Sequence, residues 1–294
     1  PEGNVEPFAS GFRSPAGLHV DSQDRLWVTD NQGDWIPTSP LHLVEEGNFY
    51  GHPAALNWQP DWPKAHKDVM AKDLMPIKTA AAGLFPQGEL ANSPTQPLAT
   101  IDRALFGLPE GELIIGDMNT DHLIRFLPDE VGGTMQGTLI PFIAGDELGI
   151  GNFRLDFSPD GTLWVGKIHL GWAGDEGLLK ITQRNISPFI VDQVKQVTSG
   201  FEISFSQKLK NIPDNITVTS HGYHYHKDYG SKKVNLQTEQ IIKHKLNRSG
   251  TTLTIHFEKL HSEKLYTIDL SALTSEVGNP LMGDVLRYNV VTVK

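Results

Sequence analysis

Three copies of one short pattern, a polar turn followed by an apolar strand, constrain the fold of this chain more than any other feature. They lie at residues 20–30 (VDSQDRLWVTD), 108–117 (LPEGELIIGD) and 158–166 (SPDGTLWVG). Asp and Gly in the turns supply the backbone angles that a hairpin needs. Because further apolar segments flank the copies, strands recur about every 40 to 50 residues, which is typical of the blades of a β-propeller.

Three blades do not close a ring, because propellers need about four to eight. We therefore expect residues 1–188 to supply about three blades of six, with the missing blades contributed by the same polypeptide or by a cleaved partner. Residues 52–95 read as an insertion rich in Pro, Trp and Ala, in which residues 64–79 predict a short helix. The chain begins at Pro1 rather than Met, which we interpret as a fragment or a processed product.

The sequence changes character from Phe189 onwards. Apolar and polar side chains alternate with a period of two in residues 200–205 (GFEISF), 216–219 (ITVT), 252–257 (TLTIHF) and 266–270 (YTIDL). This alternation is the pattern of strands with one buried face, and about seven of them suit a fibronectin- or immunoglobulin-like β-sandwich. The predicted fold is all-β, with an incomplete propeller over residues 1–188 and an accessory sandwich over 189–294.

Composition excludes several classes of function. The net charge of −10 argues against a nucleic-acid partner, since phosphate binding requires a basic surface. The absence of cysteine excludes disulfides, thiolate metal sites and a cysteine nucleophile. No apolar run approaches the roughly 18 to 20 residues of a membrane span. A calcium ion and a neutral sugar remain compatible ligands.

The order of motifs near the first copy resembles the soluble quinone-dependent sugar dehydrogenases, also called glucose/sorbosone dehydrogenases. Residues 11–18 (GFRSPAGL) match an arginine-containing turn, residues 26–30 (LWVTD) an acidic strand end, and residues 48–53 (NFYGHP) an N-Y-G-W-P element. Residues 29–35 (TDNQGDW) are closer still to exported, sugar-dehydrogenase-like propeller proteins of environmental bacteria. The resemblance covers essentially the whole chain.

The resemblance implies that the parent protein is periplasmic or secreted. It also implies that the parent oxidises a sugar, a polysaccharide-derived small molecule or a related alcohol, with pyrroloquinoline quinone (PQQ) held by calcium. No residue of this chain matches the proton-abstracting histidine of the family, a base that hydride abstraction needs within hydrogen-bond reach. A non-catalytic propeller that binds carbohydrate or protein is therefore one alternative. A calcium-dependent hydrolase or lactonase, with Asp30 and Asp117 among its axial carboxylates, is another.

The resemblance assigns candidate site residues to three places. Calcium in the family binds backbone carbonyls of the loop after the acidic strand end, which here are those of Gly33 and Asp34, beside Asp30; the alternative is a structural turn. Asn119 stands where the family has a lysine that contacts the quinone, although a neutral amide does not replace that point charge; the alternative is a polar hairpin. Arg154 lies one residue out of register with an arginine that grips the cofactor carboxylates; the alternative is a stabilising ion pair.

A histidine cluster lies at residues 221–226 (HGYHYH), in a part of the chain that resembles no catalytic site. On a strand, His224 and His226 share one face, where two imidazoles offer part of a transition-metal site that would need further ligands. The alternative is a half-exposed strand on which aromatic and polar residues alternate.

Overall fold

The computed structural model describes residues 3–59, 61–171, 173–183, 187–213 and 215–294. Residues 15–85 contain a four-stranded antiparallel sheet, sheet I, whose strands follow one another in chain order. They are β1 (Pro15–Val20), β2 (Leu26–Asp30), β3 (Ser39–Val44) and β4 (Gly83–Phe85). The insertion between β3 and β4 carries two 3₁₀ turns (Pro53–Trp58 and His66–Asp68) and α1 (Ala71–Leu74), which confirms the predicted short helix.

Two further meanders follow. Sheet II contains β5 (Pro94–Ala99), β6 (Leu113–Asp117), β7 (His122–Val131) and β8 (Thr134–Ala144), with α2 (Arg103–Phe106) between β5 and β6. Sheet III contains β9 (Asn152–Phe157), β10 (Leu163–Lys167) and β13 (Leu178–Ile181), and a small hairpin of β11 (His169–Leu170) and β12 (Ala173–Gly174) precedes β13.

The turns before β2, β6 and β10 place a left-handed residue at the same position each time. Asp24, Gly111 and Gly161 have φ angles of 60°, 88° and 84° and lie two residues before the strand begins. Gly adopts this conformation without steric cost and Asp tolerates it. The three predicted copies of the turn and strand pattern are therefore confirmed in their local conformation.

Sheets I, II and III pack face to face in chain order. Trp27 of sheet I shares a hydrophobic cluster with Phe126 of sheet II, and Ile114 of sheet II shares a second cluster with Val165 of sheet III. The first strands of the three sheets, β1, β5 and β9, lie side by side. The two outward faces of this stack keep exposed apolar side chains, which are Leu18 and Val20 on sheet I and Trp164 and Leu178 on sheet III.

The C-terminal part consists of eight strands in two layers. One layer, sheet IV, pairs its strands in the order β14-β15-β19-β18. The other pairs β17-β16-β20-β21, and a single hydrophobic cluster joins the two layers. The strands are β14 (Val191–Val197), β15 (Gly200–Phe205), β16 (Thr217–Tyr223), β17 (Lys233–Thr238), β18 (Lys243–Leu246), β19 (Thr252–His256), β20 (Lys264–Asp269) and β21 (Val285–Val290). All four segments with period-two alternation thus contain strands, and the predicted all-β class is confirmed.

Main-chain pairing continues across the predicted boundary at residues 188 and 189. Strand β21 pairs with β8 of sheet II, where Arg287 stands opposite Leu139 and Asn289 opposite Gly137. Sheet II and the second C-terminal layer are therefore one eight-stranded sheet. The division into domains at 1–188 and 189–294 stays a prediction. None of the helices in the described ranges has the length and apolar character needed to cross a membrane.

Candidate functional site

The carboxylate of Asp30, at the end of β2, is enclosed by backbone donors. It accepts the N–H groups of Arg13 at 2.8 Å, Ser14 at 2.6 Å and Asn31 at 2.8 Å. The side chain is fully buried. Burial raises its pKa, and the three backbone donors oppose that shift. Asp30 therefore ties the chain entering β1 to the chain leaving β2, and we call this arrangement the Asp30 clasp.

Asp117 repeats the arrangement at the end of β6. Its carboxylate accepts the N–H groups of Asn92 at 2.9 Å, Ser93 at 2.7 Å and Asn119 at 2.8 Å. In both clasps one donor is the backbone N–H of a serine, Ser14 or Ser93, directly before the proline at which β1 or β5 begins. Asn119, predicted to meet a cofactor, uses its backbone N–H in the clasp.

The third sheet departs from this pattern, because Lys167 stands at the end of β10 where the others have Asp. Its ammonium donates to the carbonyl of Ile150 at 2.7 Å. Buried threonines join the same ends of the sheets, since Thr29 donates to Thr95 O at 2.6 Å and Thr95 donates to Asn152 O at 2.7 Å. The loops after Asp30 and Asp117, which carry the predicted site residues of the first two sheets, thus begin at the same end of the stack, where these hydrogen bonds join the sheets.

The loop after Asp30 carries an ion-pair cluster around Asp34. Arg13 Nε lies 2.7 Å from Asp34 Oδ1, and His52 Nε2 lies 3.1 Å from Asp34 Oδ2. Arg13 lowers the pKa of Asp34 to about 2, partial burial opposes this shift, and the hydrogen bond from His52 adds to it. A Cβ on Gly33 would lie 1.8 Å from Arg13 Nε, so any larger residue here would displace the Arg13 side chain from its present position beside Asp34.

Two of the three residues predicted to bind calcium, Asp30 and Gly33, have oxygen atoms that already accept backbone N–H groups. Calcium takes six to eight oxygen ligands, yet both Asp30 oxygens accept backbone N–H groups and the Asp34 carboxylate faces a guanidinium. The Gly33 carbonyl accepts the N–H of Gly230 at 2.9 Å. Among the residues that the structure describes, no group of three or more His, Asp or Glu could hold a metal. The histidines at residues 221–226 are among the residues searched, and they form no such group.

Arg154 lies in a groove along the first strands of the three sheets. The groove has a volume of about 340 Å³ and is lined by Pro15, Ala16, Gly17, Leu18, Gln96 and Arg154. The guanidinium donates to the carbonyls of Ala16 at 3.3 Å and Phe153 at 3.1 Å, and it lies 3.9 Å from the centre of the Phe153 ring. No ion pair of Arg154 occurs within the described ranges, so the alternative of a stabilising ion pair does not hold there.

The predicted site residues occupy separate environments. No hydrogen bond or ion pair joins Asp34, Asn119 and Arg154, all of which the structure describes. Sequence analysis missed a second and larger cavity, of about 430 Å³, which includes His42 and Lys78. The one local signal was His42 itself, a polar residue between Leu41 and Leu43 in an otherwise apolar strand.

Comparison with known proteins adds two solved structures of one class, sugar-oxidising enzymes. No protein-family model matches the chain, and no curated protein matches it either. One similar structure is an oxidoreductase described as a glucose dehydrogenase from Thermus thermophilus, with 20% identity over 54% of this chain and 39% of that one, at a TM-score of 0.34. Another is the PQQ-bound aldose sugar dehydrogenase from Streptomyces coelicolor, with 21% identity over 61% and 47%, at a TM-score of 0.36. The chain spans less than half the length of either protein.

Proposed function

We propose that this chain is the ligand-binding part of a sugar-dehydrogenase-like propeller protein. We further propose that it binds a sugar or related alcohol in the groove that Arg154 lines, which we call the axial groove. The observation that carries the proposal is the side-by-side packing of β1, β5 and β9 around a groove of about 340 Å³. In a β-propeller the blades surround a central channel, and the inner strands of successive blades line it. The groove beside β1, β5 and β9 corresponds to part of such a channel.

Sheets I, II and III are, in this proposal, three blades of a six-bladed ring, and residues 189–294 are an accessory sandwich. The exposed apolar side chains on both outward faces of the stack support this, because further blades would cover them. The motifs at residues 11–18 and 29–35 support the family, and with it a periplasmic or secreted location.

Arg154 favours PQQ as a second candidate ligand of the same groove. An exposed guanidinium that lies against the Phe153 ring and donates only to carbonyl oxygens among the described residues is available to a carboxylate of an anionic cofactor. The bound quinone would supply the electron acceptor for alcohol oxidation. No other cation and no histidine lines the described groove, so the base and the remaining cofactor contacts would come from residues outside it. Asp30 and Asp117 are both committed to their clasps, which disfavours the metal-dependent hydrolase alternative.

Binding of glucose and of PQQ to the full chain, measured by calorimetry with and without calcium, tests the proposal. We expect saturable binding that calcium does not change, and we expect Arg154→Gln to weaken PQQ binding by about tenfold, the effect of losing one charge-assisted contact. Arg248→Gln, at an exposed arginine, is the matched control. Glucose binding without PQQ binding would leave a non-catalytic carbohydrate-binding protein. Absence of both would refute the groove as the site.

A further inference from the structure

A cavity of about 430 Å³, which we call the Lys78 cleft, lies between the insertion of sheet I and the C-terminal strands. Its two walls are fastened to each other at both ends. The hydroxyl of Tyr225 donates to the carbonyl of Gly51, and the side-chain amide of Asn289 donates to the carbonyl of Ala81 at 2.8 Å. The cleft is therefore preformed, as small-molecule sites usually are.

Two buried imidazoles line the cleft with ring nitrogens that lack a hydrogen-bond partner, although Nε2 of His221 lies 3.2 Å from the Tyr223 hydroxyl. His42 is 2% exposed, and neither of its ring nitrogens has a partner within the described part of the chain. His221 is 1% exposed, and its Nδ1 likewise lacks one. Buried polar groups are nearly always hydrogen-bonded, because an unpaired one costs about 1–3 kcal/mol. These nitrogens are closed off from solvent, so the two side chains serve the cleft as closely packed wall and not as direct hydrogen-bonding groups.

The protonation state of these imidazoles makes them neutral groups. Burial and the positive charge of Lys78 lower the pKa of His42 to about 3. Burial, followed by the charge of Lys233, lowers the pKa of His221 to about 4. Both rings are therefore uncharged near neutral pH and add no positive charge to that of Lys78.

Lys78 supplies a positive charge that the protein does not neutralise by direct contact. Its ammonium lies 4.7 Å from the centre of the Tyr225 ring, and within the described residues it has no carboxylate at ion-pair distance. Burial lowers its pKa, and the charge of Glu263 partly offsets that shift. Glu263 is exposed at the edge of the cleft. A half-buried ammonium without a counter-ion is a recognition group for an anion.

The rest of the wall is mainly apolar. It includes Trp35, Tyr50, Leu84, Leu265 and Val290. Such a wall favours a ligand with an apolar body over a polyol, because buried hydroxyl groups would each need a partner. Lys78 is the single Lys or Arg among the described residues that line the cleft, and with Glu263 nearby it favours one negative charge over the two of a phosphate group.

We propose that the Lys78 cleft binds a small monocarboxylate with an apolar body, whose carboxylate meets the Lys78 ammonium while the aromatic wall and the neutral rings of His42 and His221 cover its body. This site is separate from the axial groove and does not depend on the function proposed for it.

Benzoate, with benzyl alcohol as its neutral counterpart, is the probe for this site. Titration of the full chain by ligand-observed NMR should give saturable benzoate binding at least tenfold tighter than that of benzyl alcohol, the equivalent of about 1.4 kcal/mol. Glucose and inorganic phosphate should not compete. Equal binding of the two probes, or displacement of benzoate by glucose or phosphate, would overturn the proposal.

Two variants locate the binding. Lys78→Met keeps the length of the side chain and should weaken benzoate binding about tenfold without changing that of benzyl alcohol, whereas Lys245→Met, at an exposed lysine outside the cleft, should change neither. Glu263→Gln removes a rim charge from an exposed residue and should tighten benzoate binding about two- to threefold. Because Glu263 is exposed, this second variant tests the site even where Lys78→Met fails to fold. Benzoate binding that neither variant alters would place the ligand elsewhere and refute the site.

Discussion

Replacing either clasp aspartate by asparagine tests whether these residues hold the fold or bind calcium. In Asp30→Asn, one carboxylate oxygen becomes an amide nitrogen that faces a backbone N–H, and the other acceptor loses its charge. Three N–H groups depend on each carboxylate, at 2.6–2.8 Å in the Asp30 clasp and 2.7–2.9 Å in the Asp117 clasp. Hydrogen bonds to charged groups contribute about 1.5–3 kcal/mol each, so losing one and weakening two should cost about 3 kcal/mol in either variant.

Urea denaturation of the wild type, Asp30→Asn and Asp117→Asn, with calcium and with chelator, measures this cost. Asp24→Asn removes the same charge from an exposed turn residue and is the control. We expect similar losses for the two clasp variants, almost none for the control, and no effect of calcium on any of them. A loss below about 1 kcal/mol would refute the clasp argument. A calcium-dependent rise in the wild-type midpoint that Asp30→Asn abolishes would restore the metal assignment.

Three further predictions concern charged and titratable groups. The folded-state pKa of Asp34, about 2, lies below its ordinary value of 3.8. The pairing of Asp34 with Arg13 therefore stabilises the fold above pH 4, and this stabilisation is lost as the pH falls towards 2. The difference in melting temperature between the wild type and Asp34→Asn should narrow over that range. His42 has a folded-state pKa of about 3 against 6.5, so the unfolded chain binds a proton that the folded chain does not. His42 alone should therefore lower the free energy of unfolding by about 1.4 kcal/mol per unit as the pH drops from 6 to 4, a contribution that His42→Phe should remove in urea titrations. Arg125 holds buried Glu112 through two hydrogen bonds of 2.8 and 2.7 Å, so Arg125→Met should cost about 3–5 kcal/mol, most of which the double variant with Glu112→Leu should recover in the same assay.

The local features of the fold were predictable because they depend on neighbouring residues. The left-handed positions at Asp24, Gly111 and Gly161 follow from turn chemistry, and the C-terminal strands follow from period-two alternation. Asp30 was correctly located at a strand end. Its role was not predictable from the strand itself, because two of the three N–H groups that it accepts belong to Arg13 and Ser14, in the segment before β1.

The site features that the sequence did not reveal all depend on distant partners. Asp34 pairs with Arg13, which lies before β1, and with His52, which lies at the start of the insertion. Lys78 lies at the end of that insertion, where no periodic pattern indicates which way a side chain faces. The cleft that it shares with His221 exists only because the C-terminal strands pack against the insertion, a contact that no local pattern encodes.

The pairing of β8 with β21 has a consequence for the order in which the molecule assembles. The edge of β8 is completed by a strand that is synthesised only after most of the C-terminal half. Until then, sheet II presents unpaired backbone groups, which are a template for intermolecular association. Contacts between such distant segments also slow folding, because a long loop must close before they form. Slow emergence of β21 from the ribosome should therefore favour aggregation during synthesis, and chaperone demand should be concentrated in that interval.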